Sequence, residues 1–203
     1  MQRSSLVSLL SAGLLAVVAS PALAANAPTL MTAPATAGCA APALTSALAA
    51  FGDWRSYFLA PGGDFETGAR GWTLTGGATT STGSSPLRLG AARKSLRLPA
   101  GATATSPAFC VDLNYPTFRF FSTQGKAPLS VDVIYPALGT RKPRATTITG
   151  GATGWTLAKD VDLRPTVVTK DAGWRLVQLR YVADKALNGD WLVDDVLIDP
   201  KMR

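Results

Sequence analysis

From Phe51 to the C-terminus, apolar residues come in short runs of period two, each closed by Gly, Pro or Asn, a pattern that no helical core can use. In the run 129–135, Leu129, Val131, Val133 and Tyr135 would share one face of a strand, with Ser130, Asp132 and Ile134 on the other. In the run 177–181, Val177, Leu179 and Tyr181 alternate with Gln178 and Arg180. Further strand candidates lie at 71–75, 94–99, 109–113, 117–123, 146–148, 155–157 and 191–198, divided by turn signals such as Pro61-Gly62-Gly63, Gly76-Gly77 and Asn188-Gly189. Roughly eight to ten strands of this kind predict an all-β fold, two antiparallel sheets packed as a jelly-roll sandwich.

The chain ahead of this region has a different character. Arg3, an apolar stretch from Leu6 to Val18 and the small-x-small sequence Ala22-Leu23-Ala24 form a secretory signal, with cleavage expected after Ala24. The apolar stretch, about 13 residues, falls short of the roughly 20 that a membrane span needs. Residues 25–50 are an uncharged Ala/Pro/Thr-rich arm carrying Cys39, with a short helix expected over 42–50, and residues 51–203 are the sandwich domain. An exported, extracellular chain meets oxidising conditions, and Cys39 and Cys110 are its only two cysteines, so they are predicted to pair. A loop of that length is worth about 4 kcal/mol in the chain-entropy account.

There is no His in the 203 residues, which removes Ser-His-Asp and Cys-His nucleophiles, HExxH zinc sites and imidazole acid–base steps. Glu66 is the only glutamate, so a two-carboxylate glycosidase would have to draw on aspartates such as Asp132 and Asp162, whose flanks carry no catalytic mark. The chain therefore reads as a non-enzyme.

The segment Gly62-Gly63-Asp64-Phe65-Glu66-Thr67-Gly68, followed by Gly71-Trp72-Thr73-Leu74, resembles the opening of jelly-roll carbohydrate-binding modules of the family 4, 9 and 22 type, a galactose-binding-like sandwich. Lys94-Ser95-Leu96-Arg97-Leu98 is similar to their S-L-x-V strand, and Trp191-Leu192-Val193-Asp194-Asp195-Val196-Leu197 to their closing I-D-D-V strand. The resemblance spans residues 62–200 in the expected order. The chain is also similar to single-domain secreted proteins of high-GC bacteria, a likeness that lends no chemistry.

The first resemblance implies a structural Ca²⁺ held by the carboxylates of Glu66 and Asp195 and by main-chain carbonyls at Asp64 and Lys94. Such a mixed oxygen set suits this hard cation. The other reading of the same residues is a solvated strand end at Asp194-Asp195, with Glu66 paired to Lys94 or Arg93 on the surface.

Sugar-binding sandwiches place aromatic faces and polar side chains in an open groove. Trp72, Trp191, Trp155 and Trp174 are expected to pack inward, which leaves Tyr135, Arg119, Gln178 and Arg180 as the candidate ligand-binding residues, although an outward polar row also explains Gln178 and Arg180. Lys and Arg outnumber Asp and Glu by 20 to 13, and the densest basic cluster, Arg141-Lys142-Pro143-Arg144, is expected in a loop. The positive charges are spread along the chain without interleaved aromatics, which argues against nucleic acid and for either a solubility surface or attraction to acidic polymers. The leading reading is a monomeric, secreted, non-catalytic module for a glycan or an anionic cell-envelope polymer. The alternative is a cell-surface structural or protein-interaction module.

Overall fold

The computed structural model describes residues 39–89, 93–150, 152–164 and 174–199. The expected signal, its cleavage after Ala24 and residues 25–38 of the arm lie outside these. Among the described residues no helix is long and apolar enough to cross a membrane.

The strands are β1 (Phe58–Leu59), β2 (Thr73–Thr75), β3 (Thr79–Thr82), β4 (Lys94–Leu98), β5 (Thr103–Thr105), β6 (Phe109–Val111), β7 (Thr117–Gln124), β8 (Leu129–Tyr135), β9 (Thr140–Ile148), β10 (Ala152–Leu157), β11 (Val161–Asp162), β12 (Arg175–Ala183) and β13 (Trp191–Asp199). They form two antiparallel sheets packed as a jelly-roll sandwich. A seven-stranded sheet runs β10-β7-β13-β4-β3, with β1 added on β13 and β11 on β7; a six-stranded sheet runs β2-β5-β12-β8-β9, with β6 added on β12.

The period-two runs build the core as their alternation requires. Val131, Val133 and Tyr135 of β8 and Val177, Leu179 and Tyr181 of β12 point inward to meet Leu96, Phe118, Phe120 and Val193 of the other sheet. Trp72 and Trp191 are buried as expected, and the partly buried Trp174 stacks on Tyr115 at 5.9 Å. Strand β13 departs from alternation because both of its faces are covered.

The outer cover of β13 is the end of the arm. The helix expected over 42–50 does not form: Thr45 pairs with Tyr57 in an isolated antiparallel bridge, and only Ala49–Phe51 takes a 3-10 turn, closed by Gly52 at φ 79°. A nine-residue helix has little stability of its own. The segment instead lies as a strap on the seven-stranded sheet, where Leu48 and Tyr57 pack on Phe121 and Leu197 in a second small core. The disulfide between Cys39 and Cys110, 71 positions apart with Cα atoms at 5.7 Å, ties the start of the strap to β6.

A second correction concerns Arg141-Lys142-Pro143-Arg144. These residues are not in a loop but in β9, the edge strand of the six-stranded sheet. Pro143 is tolerated there because an edge strand has one unpaired side and the ladder is bulged at this point.

Candidate functional site

Two regions carry the predicted residues. The first is the point where β13 changes partners. Its start, Trp191–Val193, pairs with β4, and its end, Leu197–Ile198, pairs with β1. Between them the register against β7 shifts, Asp195 takes the left-handed region at φ 47°, and the Gly62–Glu66 turn enters the gap. Val196 holds that turn, donating its amide to the Gly63 carbonyl at 3.0 Å and accepting the Ala60 amide at 2.8 Å.

This brings Asp194 and Asp195 of β13 within electrostatic reach of each other and Asp195 within reach of Asp64 and Glu66 in the turn. Asp194 and Asp195 are each only 1% exposed. Asp194 accepts the amides of Ser85 and Asp195, and Asp195 accepts the Ser85 hydroxyl. Glu66 accepts the amides of Arg93 at 2.9 Å and Lys94 at 3.0 Å, so it meets these residues through the main chain and not through their side-chain charges. Burial pushes both aspartyl carboxyls up; Asp195 adds its charge against Asp194, while Asp64 and Glu66 add theirs against Asp195. Glu66 and Asp195 are thus brought within electrostatic reach of each other, and no ion pair to a Lys or Arg neutralises them among the described residues.

The donor chemistry suits a hard cation. Among the described residues no three acidic, His or Cys side chains gather closely enough to form a metal cage, so main-chain oxygens would have to contribute. The Asp64 carbonyl has no hydrogen-bond donor among the described residues.

The second region is the outer face of the six-stranded sheet. Gln178 and Arg180 stand on it together, because Val177, Leu179 and Tyr181 take the inner face. Arg180 lies opposite Asp132 on one side and Thr105 on the other, and Thr73 and Thr75 continue the rows through Thr105 and Thr103. Gln178 donates to the Ser106 carbonyl at 3.0 Å. In β9, three residues lie between the partners of Val131 and Val133, where β8 has only Asp132. Arg144 sits in this bulge at φ 51° and donates its amide to Asp132 at 2.6 Å, while Arg141 reaches the same carboxylate at 3.7 Å.

The other two candidates lie elsewhere. Tyr135 is 1% exposed, held on the core side by the same parity as Val131 and Val133, and lines a shallow pocket with Tyr115, Leu163 and Arg164 at one end of the sandwich. Arg119, on β7 of the opposite sheet, is bound to Asp53 at 3.1 Å and Asp160 at 3.2 Å. It belongs to a cluster that fastens the strap: Arg55 bridges Asp53 and Asp199, each at 2.6 Å, and the Tyr57 hydroxyl donates to Asp53 at 2.7 Å. The four residues therefore do not line one groove. Asp132 and Asp162 also separate, one on each sheet, with Asp162 accepting Lys142 at 2.9 Å and Arg164 at 2.9 Å.

Sequence reasoning missed the partnership of Ser85 with the two aspartates and the gathering of Arg141 and Arg144 around Asp132. The Pro inside a basic run was a signal for the second, since a strand that contains Pro is an edge or a bulge.

No protein-family model and no curated protein matches the chain. Solved structures do. TmCBM61, in complex with beta-1,4-galactotriose, is 15% identical, with 69% of this chain and 96% of that one covered and a TM-score of 0.44. The family 11 carbohydrate-binding module of the cellulosomal cellulase Lic26A-Cel5E of Clostridium thermocellum is 14% identical, covers 72% and 96%, and has a TM-score of 0.43. The CBM22-1 xylan-binding domain of Xyn10C from Paenibacillus barcinonensis is 16% identical, covers 68% and 90%, and has a TM-score of 0.44.

Proposed function

We propose that this chain is a secreted, non-catalytic module that binds a glycan or an anionic cell-envelope polymer on the outer face of its six-stranded sheet, with a structural calcium ion at the β13 junction. The observation that carries the reading is the pairing of Gln178 and Arg180 on that face, continued by the hydroxyls of Thr73, Thr75, Thr103 and Thr105. Amide, guanidinium and hydroxyl groups in register are what a polyol chain needs, each sugar hydroxyl being both donor and acceptor. Calcium would be held by Glu66 and Asp195 with the carbonyls of Asp64 and Lys94, would join the first turn to the last strand, and would not touch the ligand.

The test is retention of the purified protein on a panel of plant and bacterial wall polysaccharides, with and without EDTA, beside Q178A and R180A variants. Retention that both substitutions weaken is the expected result. No retention on any polymer sinks the reading.

One observation favours a second reading, a protein-interaction module. The strap exposes Trp54 at 76%, with Phe51 and Leu44 also exposed. Loss of cell-surface attachment in a Trp54→Ser variant whose polysaccharide retention is unchanged would support it.

A further inference from the structure

We infer that the outer face of the six-stranded sheet selects an acidic polysaccharide, taking its uronate carboxylates on Arg141, Arg144 and Arg180. This deepens the glycan-binding reading proposed above and rests on it.

Strand pairing sets the three arginine positions around one residue. Arg180 stands opposite Asp132 in the β12–β8 ladder, and the β9 bulge brings Arg144 and Arg141 to the other side of the same aspartate. Asp132 is 7% exposed and is the acidic group at the centre. Its contact with the Arg141 guanidinium is long, at 3.7 Å, and its shortest hydrogen bond comes from the Arg144 main chain. The Arg144 and Arg180 guanidinium groups have no carboxylate partner among the described residues. The one carboxylate here thus meets a single guanidinium, at 3.7 Å, while those of Arg144 and Arg180 on the flanking strands stay without a carboxylate partner among the described residues, so the face keeps a positive excess of planar, bidentate donors.

A neutral sugar chain would be gripped by ring stacking, and among the described residues this face offers no exposed aromatic ring. The aromatic residues of β8 and β12, Tyr135 and Tyr181, are both buried on the inner side. The occupant must therefore be held by charge and hydrogen bonds. The flat rows of threonine hydroxyls and Gln178 beside Arg180 fit the hydroxyls that each uronate ring carries next to its carboxylate. A ring-built chain also loses less conformational freedom on a flat sheet than a flexible polyol phosphate does. The opposing arginines stand two strand spacings apart, about 10 Å, so one chain laid across the strands can meet both sides of Asp132.

The test uses the disulfide-intact protein and four immobilised polymers: polygalacturonate, alginate, polygalacturonate with its carboxyl groups reduced, and polyglycerol phosphate. Retention on at least one of the two polyuronates, lost on carboxyl reduction and falling as salt is raised, is the expected result. Arg180→Ala and Arg144→Ala should each weaken it about three- to tenfold, while Lys159→Ala, which removes an exposed charge from the other sheet's loops, should not. Equal retention on the carboxyl-reduced polymer overturns the inference and leaves the glycan-binding reading standing. Stronger retention on polyglycerol phosphate overturns the choice of polysaccharide. Equal weakening by Lys159→Ala reduces the effect to net charge and overturns the site. No retention on any of the three polysaccharides overturns this inference and, for these sugars, the reading beneath it.

Discussion

The Arg144 amide donates to the Asp132 carboxylate at 2.6 Å across the β9 bulge. A bulge leaves main-chain groups without ladder partners, and this carboxylate supplies one. Asp132→Ala should cost about 1 kcal/mol, because it removes the acceptor of a partly buried donor on the exposed edge strand. Asp132→Asn, which keeps an acceptor oxygen, should cost less. Urea denaturation of both variants checks the order, and equal losses would remove the carboxylate from this role.

Gly125 sits at φ 68°, and a Cβ there would overlap the Trp191 ring. The indole cannot swing away freely, since its Nε1 donates to the Ala127 carbonyl at 2.9 Å in the core. Gly125→Ala combines a left-handed backbone with overpacking and should cost about 2–4 kcal/mol. Gly139, also left-handed but with open space around it, is the control: Gly139→Ala should lose only the backbone share.

The strap clamp predicts an acid-sensitive fold. The Arg55 side chain, against the opposing effect of burial, holds the Asp53 carboxyl well below its ordinary value of 3.8, with help from Tyr57. A depressed carboxyl contributes its stability fully above the unfolded value and loses it as pH falls through the folded one. Asp199 has the opposite sign: burial raises it to about 6, outweighing the pull of Arg55, so its ionisation weakens the fold as pH rises from 3.8 to about 6. Below about pH 4 only the Asp53 type of loss remains. Asp53→Asn should therefore lower stability by about 2 kcal/mol at neutral pH, leaving Arg55, Arg119 and Tyr57 short of an acceptor, and should flatten the decline below about pH 4. Thermal melts across the pH range decide it. A parallel decline in both proteins would place the acid-sensitive group elsewhere.

How far the sequence reveals this molecule follows from which forces act locally. Alternation at 129–135 and 177–181 records burial on one face directly, so β8 and β12 and their inward residues are legible. Strands β1, β3, β5 and β11 are short, and Thr79–Thr82 is a run of hydroxyl residues with no apolar pattern; they exist because longer neighbours pair with them. The strap failed as a helix because what fixes it, Phe121 and Leu197 beneath Leu48 and Tyr57, lies far along the chain. Of the site, the meeting of the Gly62–Glu66 turn with β13 was legible through an ordered set of motifs. Tyr135 and Arg119 were not separable from Gln178 and Arg180, since which sheet a strand joins is decided by pairing that no single segment records.

The β13 junction yields the final prediction. Burial pushes Asp194 and Asp195 up, with the charge of Asp195 adding at Asp194 and those of Asp64 and Glu66 adding at Asp195, so removing water from this corner is costly while the carboxylates stay charged and without a cation. If calcium is the proposed partner, it binds only the folded arrangement, because the Gly62–Glu66 turn and β13 supply its ligands from opposite ends of the domain. Calcium at about a hundred times its dissociation constant should then add about 2.7 kcal/mol, several degrees in melting temperature, and magnesium, with its stricter geometry, should add much less. Glu66→Gln and Asp195→Asn should each remove the calcium response, whereas Glu66→Gln should leave the calcium-free melt lowered only by the weakened hold on the Arg93 and Lys94 amides. A melting temperature unmoved by millimolar calcium would leave the four carboxylates to be stabilised by protons and main-chain amides alone, and would remove the ion from the function proposed here.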